Sequence, residues 1–229
     1  MKAMILAAGR GERMRPLTDT TPKPLLKVGG EPLIGWHLRR LKAAGIGEIV
    51  INHAWLGRQI EDTLGNGEAY GVKISYSPEG GKGLETAGGI ATALPLLGNE
   101  PFLVINGDIL TDIDFSAAHQ AEELLAGGTA FLWLVDNPPH HPQGDFALAA
   151  DGLVQAQGGR MLTFGGCGLY RPCFFDGLVP HRAAKLAPLL REAMGRRQVF
   201  GTYHSGLWLD VGTVGRLAEA ERLISNRLS

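Results

Sequence analysis

Apolar and polar positions along this chain follow two alternating periods. Residues 3–8 and 102–105 are uninterrupted apolar runs of strand length, and 48–52, 72–76 and 129–135 read as further strands. Between them the spacing turns helical. In 32–44 the apolar residues Leu33, Ile34, Leu38 and Leu41 share one face, and Gly45 ends the helix. Helices are also expected over 56–64, 86–94 and 116–125. Strands that alternate with helices, some apolar throughout, predict a mostly parallel sheet covered on both faces. In such sheets ligands sit beyond the carboxyl ends of the strands. Three segments rich in glycine or charge fall there: 9–23, 77–89 and 106–108.

The second half has a different texture. Short segments at 146–149, 153–155 and 161–170 alternate with turns and suggest antiparallel strands. A helix over 187–194, strands at 199–203 and 207–209, and a closing helix over 214–226 complete the pattern. Trp208 and Leu209 read as buried. The expected organisation is a single domain over 1–229, with a core at 1–144, a small lobe at 145–210 over one end of the sheet, and a closing segment from 211.

Composition agrees with one globular α/β unit: 45% of residues are hydrophobic and the formal net charge is −1. The charge balance speaks against a nucleic-acid coat or a membrane surface. The two cysteines, Cys167 and Cys173, fit neither zinc spacing nor a Cys-x-x-Cys pair, so two reduced thiols are expected. With no signal-peptide pattern and no apolar run of membrane length, a cytoplasmic location is expected.

The candidate chemistry begins at the first strand. It opens into a loop with Gly9, Gly11, Arg13, Arg15 and Lys23. Glycines let backbone N–H groups approach phosphate closely, and Arg and Lys supply charge. The spacing is not that of a P-loop or of the dinucleotide fingerprint. Asp108, in Asn106-Gly107-Asp108 after an apolar strand, suits Mg²⁺ or could simply cap a turn. Asp210 is a second candidate acid. It could be a helix cap, but Thr213 is better placed for that.

The string LAAGRGERMRPLT from Leu6 to Thr18, followed by PKPL from Pro22 to Leu25, resembles the signature of the sugar-1-phosphate nucleotidyltransferases. That resemblance implies a Rossmann-like three-layer fold with a small sugar-binding lobe, and transfer of a nucleotide from a nucleoside triphosphate to a sugar 1-phosphate. It implies Mg²⁺ held by Asp108 and Asp210. Arg13 would hold the β- and γ-phosphates with the Gly11 loop, and Lys23 would reach the α-phosphate. Ala7, Ala8, Gly9, Gly11, Glu79, Gly83 and Thr86 would line the nucleotide site. Further segments (INHAWLG from Ile51, YSPE from Tyr76, LVDNPPHH from Leu134) resemble the family's uridylyltransferase branch of peptidoglycan recycling, which implies UTP as donor. For the sugar, Asn106 and Asp145 are candidate hydrogen-bonding groups, and Lys185 a candidate cation for a carboxylate. His140 and His141, in a proline turn, read as surface residues. No acetyltransferase fusion of the left-handed β-helix type is expected.

Three other readings remain open. A guanylyltransferase making GDP-mannose would use the same chemistry. A catalytically silent regulatory subunit could bind the nucleotide sugar, although Arg13, Lys23, Asp108 and Asp210 are all retained. A nicotinamide-dependent oxidoreductase is opposed by the glycine spacing at the first turn.

Overall fold

A computed structural model describes residues 1–228, apart from the side chains of 122, 227 and 228. Its elements in chain order are β1 (Lys2–Leu6), α1 (Leu17–Thr20), β2 (Lys27–Val28), β3 (Glu31–Pro32), α2 (Leu33–Ala43), β4 (Glu48–His53), α3 (Gly57–Leu64), β5 (Lys73–Pro78), α4 (Glu85–Leu97) and β6 (Phe102–Asn106). There follow β7 (Ile109–Thr111), α5 (Ala121–Leu125), β8 (Ala130–Val135), β9 (Phe146–Leu148), β10 (Val154–Gln155), β11 (Met161–Tyr170), α6 (Leu186–Gly195), β12 (Val199–Tyr203), β13 (Trp208–Asp210) and α7 (Val214–Leu228).

The main sheet runs β5-β4-β1-β6-β11-β8-β12, with β9 and β10 joined to the outer half of β11. β1, β4, β5 and β6 are parallel, and β12 is parallel to β8. β11 alone in that row runs against its neighbours, β6 and β8. Strand period two sorts the core onto both faces. Ala3, Ile5, Ile49, Ile51, Leu103 and Ile105 pack with Ile34, Leu38 and Leu41 of α2 and with Ile60 of α3. Met4, Val50, Phe102 and Val104 pack on the opposite face with Ile90 and Ala93 of α4 and Leu190 of α6. The three layers thus follow from strand stretches apolar at consecutive positions (3–6, 49–51 and 102–105), which only a sheet covered twice can bury.

Several expectations shift. The segment 145–210 supplies part of the sheet itself: β11 and β12 are main-sheet strands. A register shift in β11 between Phe164 and Gly168 lets one long strand serve both the sheet and the β9–β10 extension. The helix expected over 116–125 is a 3₁₀ turn over Phe115–Gln120 continued by α5, started by Asp114, whose carboxylate accepts from Ser116 N at 2.9 Å. The helix expected over 86–94 runs to Leu97 and carries Pro95 in its last turn. Trp208 and Leu209 are half-buried. Residue 229 lies outside the described residues. Both cysteines are free, Cys167 buried and Cys173 exposed. No helix among the described residues is long and apolar enough to cross a membrane.

His37 on α2 is 1% exposed. Burial, aided by the Arg40 charge, pushes its pKa from 6.5 down to about 4. The unfolded chain therefore takes up this proton first. The stabilising contribution is complete above pH 6.5 and is lost as pH falls to and through 4, about 3 kcal/mol in all. Leucine at 37 has a similar volume and no proton to bind. Urea unfolding of His37→Leu at pH 7, 5.5 and 4.5 is expected to show a correspondingly shallower acid loss than wild type; parallel curves would refute the assignment.

Candidate active site

The carboxyl ends of β1, β4, β5 and β6 open into a cleft of about 560 Å³, lined by Ala7, Ala8, Gly9, Lys23, Glu79, Gly83, Thr86, Asn106 and Asp108 among others. A chain of hydrogen bonds holds its walls. Ala7 N donates to Asn52 Oδ1 at 2.8 Å, and Asn52 Nδ2 donates to Glu79 Oε1 at 2.6 Å. Leu84 N donates to Glu79 Oε2 at 2.6 Å. Glu79 is buried and uses both oxygens on protein groups. These bonds seat the glycine-rich loop over β1. Gly89 makes this possible: a β-carbon there would lie 2.3 Å from Glu79 Oε1 and 2.9 Å from Asn52 Nδ2.

The opening loop is prearranged. Gly11 has φ of +70°, a conformation that favours glycine, and its carbonyl accepts from Thr18 Oγ1 at 2.8 Å. Arg10, not singled out in the sequence, also lines the cleft. Its guanidinium lies 3.8 Å from the Trp55 ring centroid and donates to Thr18 O at 2.8 Å. The clue was available in retrospect: Arg10 sits between the two loop glycines.

Lys23 is 8% exposed and its Nζ lies 2.5 Å from Asp108 Oδ2. A buried ammonium needs such a partner. Asp108 follows Gly107, whose N–H donates to Leu6 O at 2.9 Å and ties the β6 turn to the end of β1.

A second cleft of about 330 Å³ adjoins the first and shares Asn106 and Asp108 with it. It adds Arg13, His140, His141, Trp208 and Asp210. Asp210 comes beside Asp108 through β7–β13 pairing: Asp210 is in register with Ile109, and Val211 N donates to Asp108 O at 2.8 Å. A separate apolar cluster, including Met14, Leu110, Val211, Ala220 and Ile224, fastens this two-stranded unit to α7 and the opening loop. Thr213 Oγ1 accepts from Arg216 N at 3.3 Å and caps α7, so Asp210 is not spent on capping. Arg216 Nη2 instead lies 3.2 Å from Asp210 Oδ2. A β-carbon at Gly212 would lie within 2.9 Å of nitrogens of both Arg13 and Arg216, so two guanidinium groups converge beside this carboxylate.

The sequence candidates thus divide. Ala7, Ala8, Gly9, Lys23, Glu79, Gly83, Thr86, Asn106 and Asp108 share the first cleft. Arg13 and Asp210 lie in the second rather than beside the glycine-rich loop. Gly11 shapes the loop from behind. Asp145 lines neither cleft: its Oδ1 is 3.0 Å from His141 Nε2 and its Oδ2 accepts from Phe164 N at 2.9 Å. Lys185, exposed just before α6, lines neither cleft either. The cationic and imidazole side chains that the second cleft does contain are Arg13, His140 and His141.

Comparison with known proteins places this geometry in a lineage. The chain is 68% identical over 226 residues to the N-acetylmuramate alpha-1-phosphate uridylyltransferase of Neisseria meningitidis serogroup B, covering 97% of this chain and 98% of that protein. It is 36% identical to the Caulobacter vibrioides protein of the same name, over 95% and 97% of the two chains. A solved structure from Bacillus anthracis, assigned as a glucose-1-phosphate thymidylyltransferase, superposes with a TM-score of 0.83 at 25% identity, covering 97% of this chain and 94% of that one. A UDP-glucose pyrophosphorylase bound to UDP-glucose shares the fold, with a TM-score of 0.79 at 20% identity, over 99% and 100% of the two chains. Residues 2–155 match the Nucleotidyl transferase family, and the chain belongs to that family.

Proposed function

We propose that this chain transfers UMP from UTP to N-acetylmuramic acid α-1-phosphate, giving UDP-N-acetylmuramic acid and pyrophosphate, as a cytoplasmic step of peptidoglycan recycling. The observation that carries the reading is the junction of two clefts at Asp108, with Lys23 on one side and Asp210 on the other. Near full-length identity to a uridylyltransferase of that name supports the choice of substrates.

The donor set fits Mg²⁺. Asp108 and Asp210 offer oxygen only, and Mg²⁺ takes one or two carboxylates and completes its shell with water and phosphate. Among the described residues no larger cluster of metal-binding side chains exists. Bound there, Mg²⁺ would neutralise charge on the reacting phosphates. A sugar-phosphate oxygen attacks the α-phosphorus of UTP as the bond to the β-phosphate oxygen breaks, and no proton needs to move. The protein's work is to position and to neutralise. Lys23 supplies a buried, preorganised ammonium at the point where both phosphates meet. The loop held by Glu79 presents backbone groups to the uracil, and the shared Asn106 can bond the sugar. Arg13 gathers phosphate charge from the second cleft.

The test is pyrophosphate release with Mg²⁺, crossing UTP, GTP, dTTP and CTP with the 1-phosphates of N-acetylmuramic acid, N-acetylglucosamine, glucose and mannose. Release with UTP and the muramic sugar is expected. Preference for GTP and mannose 1-phosphate would overturn the substrates and keep the mechanism. Nucleotide binding without release from any pair would favour a regulatory protein.

A further inference from the structure

Asn52, absent from the sequence candidates, ties two walls of the first cleft together. It lies near the carboxyl end of β4, in register with Leu6 of β1 on one side and Ser77 of β5 on the other. The residue is 3% exposed and borders the cleft. The direction of each bond it joins is forced. Ala7 offers a backbone N–H, which can only donate, so the atom facing it at 2.8 Å is Asn52 Oδ1. The amide therefore turns its NH2 group to Glu79, and Nδ2 donates to Oε1 at 2.6 Å. Leu84 N, again a donor only, takes the other carboxylate oxygen at 2.6 Å. An amide between a backbone donor and a carboxylate satisfies every position; two acceptors or two donors at 52 would leave one contact mismatched.

Leu84 is also held from the outside. Its carbonyl accepts from Ala184 N at 3.0 Å, and Ala184 O accepts from Ala87 N at 3.0 Å. These outer bonds run from backbone to backbone, so no side-chain substitution in the clasp removes them. The far edge of the glycine-rich loop is thereby fixed. The spacing between Ala7 and Leu84 is set from inside, by the bond between Asn52 and Glu79.

In the proposed reaction the phosphates meet Lys23 and Asp108, and the uracil lies against the loop that Glu79 holds. Resting on that reading, we infer that Asn52 is a positioning residue for the donor base. By bonding Ala7 N and Glu79 at once, it fixes the width of the slot between the β1 loop and the glycine-rich loop. It thus governs UTP affinity and touches no reacting atom.

The test runs the clasp backwards. Asn52→Asp alone sets two carboxylates against each other. Glu79→Gln alone sets two donors against each other, at Asn52 or at Leu84. In the double variant Asn52→Asp/Glu79→Gln, the new carboxylate accepts from Ala7 N and from the new amide, whose oxygen takes Leu84 N. Each single variant is expected to raise the KM for UTP about 10–100-fold, the effect of one mismatched contact at a buried charged group, with kcat within about threefold. The double variant should return that KM to within about fivefold of wild type. The KM for N-acetylmuramic acid 1-phosphate should stay within about twofold throughout. Tripolyphosphate, which carries the phosphates of UTP without base or ribose, should inhibit all four proteins equally. Loss of kcat in step with the rise in KM, or weaker inhibition by tripolyphosphate, would make the clasp a scaffold for the whole cleft and overturn the inference. A double variant no better than the worse single would overturn it too, since Asn52 would then not act through Glu79. If the wild-type protein releases no pyrophosphate with the muramic sugar, the proposed function fails by itself. Titration of UTP into the four proteins then decides the clasp by the same rescue: restored affinity in the double variant upholds it, and no restoration overturns it.

Discussion

Lys23→Ala is expected to lower turnover about 10²–10³-fold, the usual cost of removing one preorganised contact to charge that develops in the transition state. UTP affinity should change much less, because the Gly9–Gly11 loop, Arg10 and the loop seated by Glu79 remain. The reason lies in the placement: Lys23 is 8% exposed, and among the described residues its one hydrogen-bonding partner is Asp108 at the junction of the clefts. Its charge is concentrated where two polyanions must meet. Folding should survive, since Asp108 is partly exposed, with 34% side-chain accessibility, and water can take over from the lost ammonium. Stopped-flow turnover, nucleotide titration and a melting curve would separate these effects. Turnover near the wild-type value would remove Lys23 from the mechanism. Collapse of UTP binding in step with turnover would make it a ground-state anchor instead.

Asp108→Asn is expected to cost more, about 10³-fold or beyond, and to raise the Mg²⁺ concentration needed for half-maximal rate at least about tenfold, because one of only two carboxylates is lost. The amide keeps the volume and the β6 turn, whose Gly107–Leu6 hydrogen bond involves backbone alone. Lys23 would then face a neutral partner, so rate should not return when Mg²⁺ is raised to saturation. Full recovery at high Mg²⁺ would show that Asp108 only sets metal affinity. An unchanged Mg²⁺ midpoint would place the metal elsewhere. Both variants also separate an enzyme from a regulatory binding protein, in which neither charge need matter to ligand affinity.

Much of the fold was legible because its determinants are local. The two periods located β4, β6, β8 and α2 within a residue or two, and 161–170 and 199–203 at their observed bounds. The apolar strands announced a sheet covered on both faces. The place of β11 was not legible. Its antiparallel insertion between β6 and β8 depends on pairing with strands tens of residues away, and its short flanking segments suggested only a lobe over one end of the sheet. The 3₁₀ turn over Phe115–Gln120 was missed for a different reason: it shares its apolar face with an α-helix, and only the Asp114 cap marks where it begins.

The candidate site divides along the same line. The chemical types and their strand-end placement could be read from the chain: glycines, a lysine between two prolines, two acids after strands. What each polar atom does could not. Asp145 accepts from Phe164 N and faces His141, and Glu79, which lines the first cleft, also clasps its loop through Asn52 and Leu84. The histidine pair, read as surface, is 40% exposed in each side chain and also lines a cleft.

By itself, then, the sequence determined the elements, the layering and the inventory of reactive groups, because hydrophobic period, glycine placement and residue chemistry act over a few neighbouring positions. The tertiary structure decided which groups meet and which hydrogen-bonding form each takes. Ala7 meets Asn52 across 45 residues, Lys23 meets Asp108 across 85, and Arg216 meets His140 across 76. A hydrogen bond is won or lost within a few tenths of an ångström, and over such separations only the packed core brings its two ends together to that tolerance.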